Sequence, residues 1–219
     1  LTSDVKAHAA INSVWVETST SANDLARLGA IAVQKACQGT GKISTLIAPA
    51  NHAWEKASQS YTALPTEPPT TVPKSTIESA AALLTNGKKT ALILGGYALR
   101  EDALVIAGRI AAKFGVPLFG ETFPTRHQRG SGRVSITRVP YFAEQAIQVL
   151  GQFEQFVLLG AATPVAFFAY PDTPSVLVPD DATVMSLATI EQNVAGALES
   201  LAENLGATPG FESLQQRII

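Results

Sequence analysis

Two glycine-rich segments have the composition of loops that hold phosphate groups. GTGK (39–42) lacks the residue spacing of a phosphate loop and lies between a predicted helix and a predicted strand, so we interpret it as a turn. GGYALRED (95–102) follows a predicted strand and opens a predicted helix, where backbone amides can hold an anion. It lacks the full G-x-G-x-x-G fingerprint. A plain strand-to-helix turn is the favoured interpretation, and Gly95 and Gly96 are candidates for binding a nucleotide only.

The side chains that could act as nucleophiles, bases or metal ligands form no catalytic group. Cys37 lies on a predicted helix and is expected to be a small buried side chain. Ser131 lies between two glycines but outside a G-x-S-x-G motif. His127, close to Arg126 and Arg129, belongs either to a solvated loop or to a contact with an anion or a partner. One cysteine and three scattered histidines give no metal-ligand spacing, so the sequence predicts no catalytic residue and no metal ligand.

The segment AATPVAFFAYPDTP (161–174) is unusually rich in aromatic residues and proline. It follows a predicted strand, and ligands of open α/β sheets bind at the carboxyl ends of strands. Phe167, Phe168 and Tyr170 are therefore candidates for the wall of a substrate pocket. Two alternatives stay open: the rings could form an interface, or they could simply cover the edge of the core.

Composition excludes several classes of protein. The 219 residues are 46% hydrophobic and 16% charged, which permits a buried core and excludes a disordered chain. The net charge of −2 excludes a nucleic-acid reader that depends on phosphate neutralisation, and a polybasic membrane binder. The longest uncharged run, 155–171, is too short for a spanning helix and contains Gly160 and Pro164. We expect a cytoplasmic protein without a membrane or nucleic-acid partner.

The chain divides into four parts by pattern. Residues 1–57 alternate helix and strand but contain only two strands, so we expect them to be the C-terminal part of another α/β domain. Residues 58–73 carry four prolines among serine and threonine and are typical of an extended linker. Residues 74–206 form one complete domain, and 207–219 begin the next linker.

The pattern of residues 74–206 predicts a doubly wound parallel sheet of about six strands, which is a Rossmann-like α/β fold. Near-continuous apolar strands at 90–96, 116–121 and 156–160 alternate with helices, which is typical of parallel sheets covered on both faces. A short strand is predicted near 134–137, and further strands at 175–179 and 183–188. Ser75 and Glu78 form a predicted capping box for the first helix.

Three segments in order resemble the thiamine-diphosphate-dependent superfamily of decarboxylases and acetolactate synthases. ISTLIAPANHAWEKA (43–57) is similar to the end of the pyrimidine-binding domain of that family. Residues 90–130 and FVLLGAATPVAFFAYP (156–171) are similar to parts of its central domain. The branch it most resembles is acetolactate-synthase-like or benzoylformate-decarboxylase-like.

This resemblance implies a larger enzyme that acts on a small 2-oxo acid. It implies thiamine diphosphate and Mg²⁺ as cofactors, and a homodimer or homotetramer. The Gly-Asp-Gly motif that holds Mg²⁺ and diphosphate in the family does not occur in this sequence, and the activating glutamate would precede the matched region. We therefore expect a central-domain fragment that is not catalytic by itself. The alternatives are a module that binds FAD or ADP, as the central domain of some relatives does, and a purely structural domain.

Overall fold

The computed structural model describes residues 3–39, 41–207 and 209, and the chain divides into two compact units, 1–69 and 70–219. The predicted terminal linker, 207–219, lies outside the described residues except for Ala207 and Pro209. Among the described helices, none combines the length and the apolar character needed to cross a membrane.

The first unit is a small α/β arrangement built on two parallel strands. Its elements are α1 (Val5–Ala10), β1 (Trp15–Thr18), α2 (Ala22–Ala36), β2 (Ser44–Ile47) and α3 (Ala50–Trp54). Trp15 pairs with Ser44, and Thr18 with Ile47. The Ser21 hydroxyl caps α2, because it accepts a hydrogen bond from the Asp24 N–H at 3.1 Å.

Two polar side chains are buried together in the first unit. Ser19 directly follows β1, and its Oγ lies 2.8 Å from Nδ1 of His52 on α3. Large hydrophobic side chains of this unit stay exposed; they are Val5, Ile11, Val14, Val33, Ile43, Trp54, Tyr61 and Leu64. Cys37 is also exposed, so the prediction of a buried thiol was wrong. It is the C-cap residue of α2, where the chain leaves the packed helix face.

The second unit is a doubly wound parallel sheet, which confirms the predicted fold class. Its elements are α4 (Lys74–Thr85), β3 (Thr90–Leu94), a 3-10 turn (Gly96–Leu99), α5 (Glu101–Phe114), β4 (Leu118–Gly120), β5 (Thr137–Arg138), α6 (Ala143–Leu150), β6 (Gln155–Leu159), β7 (Thr183–Ala188) and α7 (Val194–Asn204). The strand order is β5-β4-β3-β6-β7, and every pairing is parallel.

Alternation along the central strands supplies both faces of the core. Leu92 and Leu94 of β3 pack with α4, α5 and α7, whereas Ala91 and Ile93 pack with α6. Every residue of β3 and β6 is buried. This burial on both faces explains why these strands are continuous apolar runs in the sequence.

Two local predictions were wrong. The described sheet of this unit has five strands, because 175–179 is a loop whose Leu177 and Val178 are buried beside α6. Pro174 and Pro179 bound that loop and cannot donate to a strand ladder. The capping box at Ser75 is also absent: α4 begins two residues earlier, with Pro73 as its N-cap, and the N–H groups of Thr76 and Ile77 donate to the Pro73 carbonyl.

Candidate functional site

The candidate residues gather at the carboxyl edge of the five-stranded sheet. From β3 the chain moves outward to β4 and β5 and then returns to place β6 on the opposite side of β3. The topological switch point therefore lies between the carboxyl ends of β3 and β6, where open α/β sheets bind ligands. Gly95 follows β3 at this point and Gly160 follows β6.

At the switch point the two glycines meet backbone to backbone. The Gly95 N–H donates to the Leu159 carbonyl at 2.9 Å. A Cβ atom on Gly95 would collide with the Gly160 carbonyl oxygen, and a Cβ atom on Gly160 would lie 2.7 Å from the Gly95 carbonyl oxygen. Both positions thus require glycine, and the crevice between β3 and β6 is closed by main chain.

Glu121 covers the same loop from the side of β4. The Gly96 N–H donates to Oε1 of Glu121 at 3.3 Å, and a Cβ atom on Gly95 would lie 2.9 Å from Oε2. Burial raises the pKa of Glu121 above its ordinary value, against the lowering effect of the Gly96 N–H. The structure therefore places the two candidate nucleotide-binding glycines, Gly95 and Gly96, directly against a carboxyl group.

The loop after Glu121 is fastened to the start of α5. The Gln128 N–H donates to the Leu99 carbonyl at 3.0 Å, and the Gln128 side chain accepts from the Glu101 N–H at 2.5 Å. Arg133 pairs with Glu101 at 3.0 Å. These contacts hold residues 121–133 over the 3-10 turn.

Two nitrogen atoms in this region are buried without a hydrogen-bond partner among the described residues. They are Nη1 of Arg100 and Nε2 of His127. Burial, and then the positive charge of Arg129, lower the pKa of His127 below its ordinary value. Both effects favour the neutral form of the imidazole. The sequence indicates His127 only as a loop residue or a contact, and the burial of its Nε2 atom is what the structure adds.

The predicted pocket-wall residues belong to a larger set of rings, which we call the aromatic cluster. Its members come from the loops after β4, β5 and β6; they are Phe123, Tyr141, Phe142, Phe167, Phe168 and Tyr170. Ring centroids lie 4.8 Å apart for Phe167 and Phe168, and 5.3 Å apart for Phe123 and Phe167. All of these contacts are edge-to-face or tilted, as the ring quadrupoles favour.

The aromatic cluster is exposed rather than buried. Its rings expose between 39% (Tyr141) and 62% (Phe167) of their surface. Sequence reasoning found the three rings of one loop and missed Phe123, Tyr141 and Phe142. Each of these three residues follows a predicted strand by a few positions, and that spacing was the available sequence signal. The rings meet only because the three loops lie side by side at one edge of the sheet. An exposed patch of six aromatic rings is typical of a site that binds a ligand or another protein surface.

The described residues contain no group of three or more histidine, cysteine, aspartate or glutamate side chains that could hold a metal ion. The side chains described here therefore do not fit the hard oxygen-ligand set that Mg²⁺ bound to a diphosphate needs.

Comparison with known proteins relates the chain to an acetolactate-synthase-like protein. No protein-family model matches the chain. The chain is 35% identical over 205 residues, 94% of its length, to a protein of Mycobacterium tuberculosis strain H37Rv whose provisional name is acetolactate synthase large subunit IlvX. By sequence, the chain is therefore similar to part of an acetolactate-synthase-like protein. It spans 39% of the length of this curated relative.

Solved structures of the superfamily share the fold of the chain. The thiamine-diphosphate-dependent 4-hydroxybenzoylformate decarboxylase of Rhodococcus jostii RHA1 matches 99% of this chain and 44% of its own, with a TM-score of 0.73 and 17% identity. A provisionally assigned thiamin-diphosphate-dependent enzyme of Mycobacterium smegmatis matches 94% of this chain and 43% of its own, with a TM-score of 0.68 and 19% identity. Benzoylformate decarboxylase of Polynucleobacter necessarius matches 90% of this chain and 39% of its own, with a TM-score of 0.67 and 16% identity.

Proposed function

We propose that this chain is the central-domain part of a thiamine-diphosphate-dependent enzyme that acts on 2-oxo acids, either a decarboxylase or an acetolactate-synthase-like carboligase. In this assignment 1–57 is the C-terminal part of the pyrimidine-binding domain, 58–73 is a linker and 74–206 is the central domain. The support is the order of the three matched segments, together with relatives of which the chain covers 39% and 44%. The rest of that enzyme is then the first partner of this chain.

We infer that the loop 161–172 faces the active site of the whole enzyme. The observation that carries this inference is the aromatic cluster, in which Phe167, Phe168 and Tyr170 meet rings from two other loops at the carboxyl edge of the sheet. Such a surface binds the apolar part of a substrate and keeps water away from a reactive carbanion. The cofactor carries the bond-breaking chemistry in this superfamily. Phe167, Phe168 and Tyr170 bind and shield, and take no part in proton transfer.

The test is substrate preference in the full-length enzyme. Phe168→Ala should lower kcat/KM for 2-oxo acids with a large apolar group by about tenfold, while small substrates such as pyruvate change less, because about 1–3 kcal/mol of apolar contact is removed. Tyr61→Ala is the matched control, since Tyr61 is an exposed aromatic residue of the other unit. Equal loss for large and small substrates would contradict the pocket-wall role.

The isolated chain is proposed to lack catalysis. Its sequence carries no Gly-Asp-Gly motif. Calorimetry with thiamine diphosphate and Mg²⁺ should therefore show no binding at micromolar concentration, and pyruvate or benzoylformate should not be consumed. Mg²⁺-dependent micromolar binding would contradict this proposal. A cytoplasmic location and a homodimeric or homotetrameric whole enzyme are proposed from the family alone.

A further inference from the structure

We propose that Glu121 excludes phosphate-bearing ligands from the Gly95–Gly96 loop, because its carboxylate already occupies the position on that loop where a phosphate would bind. This assignment goes beyond the proposed function and does not depend on it. It gives a physical reason why the nucleotide-binding alternative, FAD or ADP, does not fit this domain.

The first step concerns the hydrogen-bond donors of the loop. A strand-to-helix loop binds a phosphate through main-chain N–H groups that point at the ligand. In this chain the Gly95 N–H is bonded to the Leu159 carbonyl, and the Gly96 N–H is bonded to the Glu121 carboxylate. The N–H groups of both glycines thus donate to acceptors within the protein and are not available to a nucleotide.

The second step concerns space. Dinucleotide loops use glycine so that the main chain can approach a pyrophosphate closely. Here the missing side chain of Gly95 leaves room for other protein atoms: the Gly160 carbonyl, the Ala161 Cα and Oε2 of Glu121 lie within 3.0 Å of its Cβ position. The glycine therefore serves packing between β3 and β6, and Oε2 of Glu121 occupies the space on its remaining side.

The third step concerns charge. A carboxylate in contact with the loop repels a phosphate at the same place, and partial burial strengthens that repulsion. No described ion pair of Glu121 with a lysine or arginine offsets its charge. Glu121 thus acts as a specificity determinant, because its carboxylate binds to the loop and repels the phosphate group of a ligand.

The experiment measures ADP and FAD binding to the 219-residue chain and to two variants. Wild type should bind neither ligand at millimolar concentration. Glu121→Ala removes both the charge and the occupant of the Gly96 N–H, so ADP should bind at least tenfold more tightly than to wild type. Glu121→Gln removes the charge but keeps an oxygen on the N–H, so its gain should be smaller. Calorimetry gives the dissociation constants, and flavin fluorescence quenching checks FAD independently.

The control is Glu144→Gln, which makes the same change of net charge on an exposed carboxylate in the first turn of α6. It should bind ADP no better than wild type. Micromolar binding of ADP or FAD to wild type would overturn the proposal. So would equally weak binding by wild type and by Glu121→Ala, because some other feature would then keep phosphate out. If Glu144→Gln gains as much affinity for ADP as Glu121→Ala does, net charge alone explains the gain, and the proposal is overturned as well.

Discussion

Gly95 and Gly160 touch through their main chains at the point where the sheet changes direction. Each carbonyl oxygen lies where the side chain of the other residue would begin. Because β3 and β6 are adjacent, this contact joins the loops that leave the two most buried strands of the second unit. The contact explains both glycines without any ligand, and it fixes the geometry of the candidate site.

Replacing Gly160 by alanine should therefore destabilise the second unit strongly. Gly160 has a φ of 60°, where an alanine is strained, and the added Cβ would also press on the Gly95 carbonyl. We expect a loss of about 2–5 kcal/mol in the free energy of unfolding, from strain and overpacking together. Urea denaturation measures the loss.

Gly115→Ala is the matched control for this prediction. Gly115 has a similar φ of 66°, but no atom lies within 4 Å of its Cβ position. It should lose only the backbone term, about 1–2 kcal/mol. Equal losses for the two variants would show that the contact with Gly95 has no steric consequence.

A second prediction compares two phenylalanines of the same unit. Phe156 of β6 is fully buried, so Phe156→Ala should cost about 3–5 kcal/mol. Phe168 is 46% exposed in the aromatic cluster, so Phe168→Ala should cost less than about 1 kcal/mol. Thermal and urea unfolding of the isolated chain provide the comparison. A loss of several kcal/mol for Phe168→Ala would mark this ring as core and remove it from the pocket wall.

The sequence predicted the parts of the fold that depend on burial along one element. The runs at 90–94 and 155–159 are apolar because both faces of β3 and β6 are covered, and that pattern was sufficient to find them. The run at 175–179 has the same composition but lies as a loop against α6. An apolar run indicates that a segment is buried, but it does not indicate its partner: Val176 forms an isolated antiparallel bridge with Val165 and does not join the parallel sheet.

The candidate site was less accessible to sequence reasoning, for a physical reason. Phe167, Phe168 and Tyr170 are neighbours in the chain and were found. Phe123 and Tyr141 meet them only because β4 and β5 end at the same edge of the sheet as β6. The contact of Glu121 with Gly96 joins residues 25 positions apart and likewise depends on the pairing of β3 with β4.

A third prediction concerns the pH dependence that Glu121 contributes. Its pKa in the folded chain lies above the ordinary value of 4.5, so the folded state holds this proton more tightly than the unfolded state does. As pH rises through the interval between these two pKa values, the unfolded state loses the proton first and the contribution of Glu121 to stability falls. Glu121→Gln should therefore be more stable than wild type near pH 7, with the advantage disappearing below pH 4.5. Urea unfolding at both pH values measures this difference. An advantage that grows towards low pH would contradict the assigned direction.

The fourth prediction concerns His127, whose contribution to stability changes with pH in the opposite direction to that of Glu121. Burial lowers its pKa below the ordinary value of 6.5, so the unfolded state binds the proton more tightly than the folded state does. Stability should then fall as pH drops from about 6.5 through the folded pKa, because protonation favours the unfolded chain. His127→Gln removes this titration, so the stability of wild type relative to the variant should decrease over that interval. NMR titration of the imidazole should give a midpoint below 6.5, and Arg129→Gln should move this midpoint upward by removing a nearby positive charge. A midpoint at or above 6.5 in wild type would show that the imidazole is solvated. That result would contradict the burial of Nε2 without a hydrogen-bond partner.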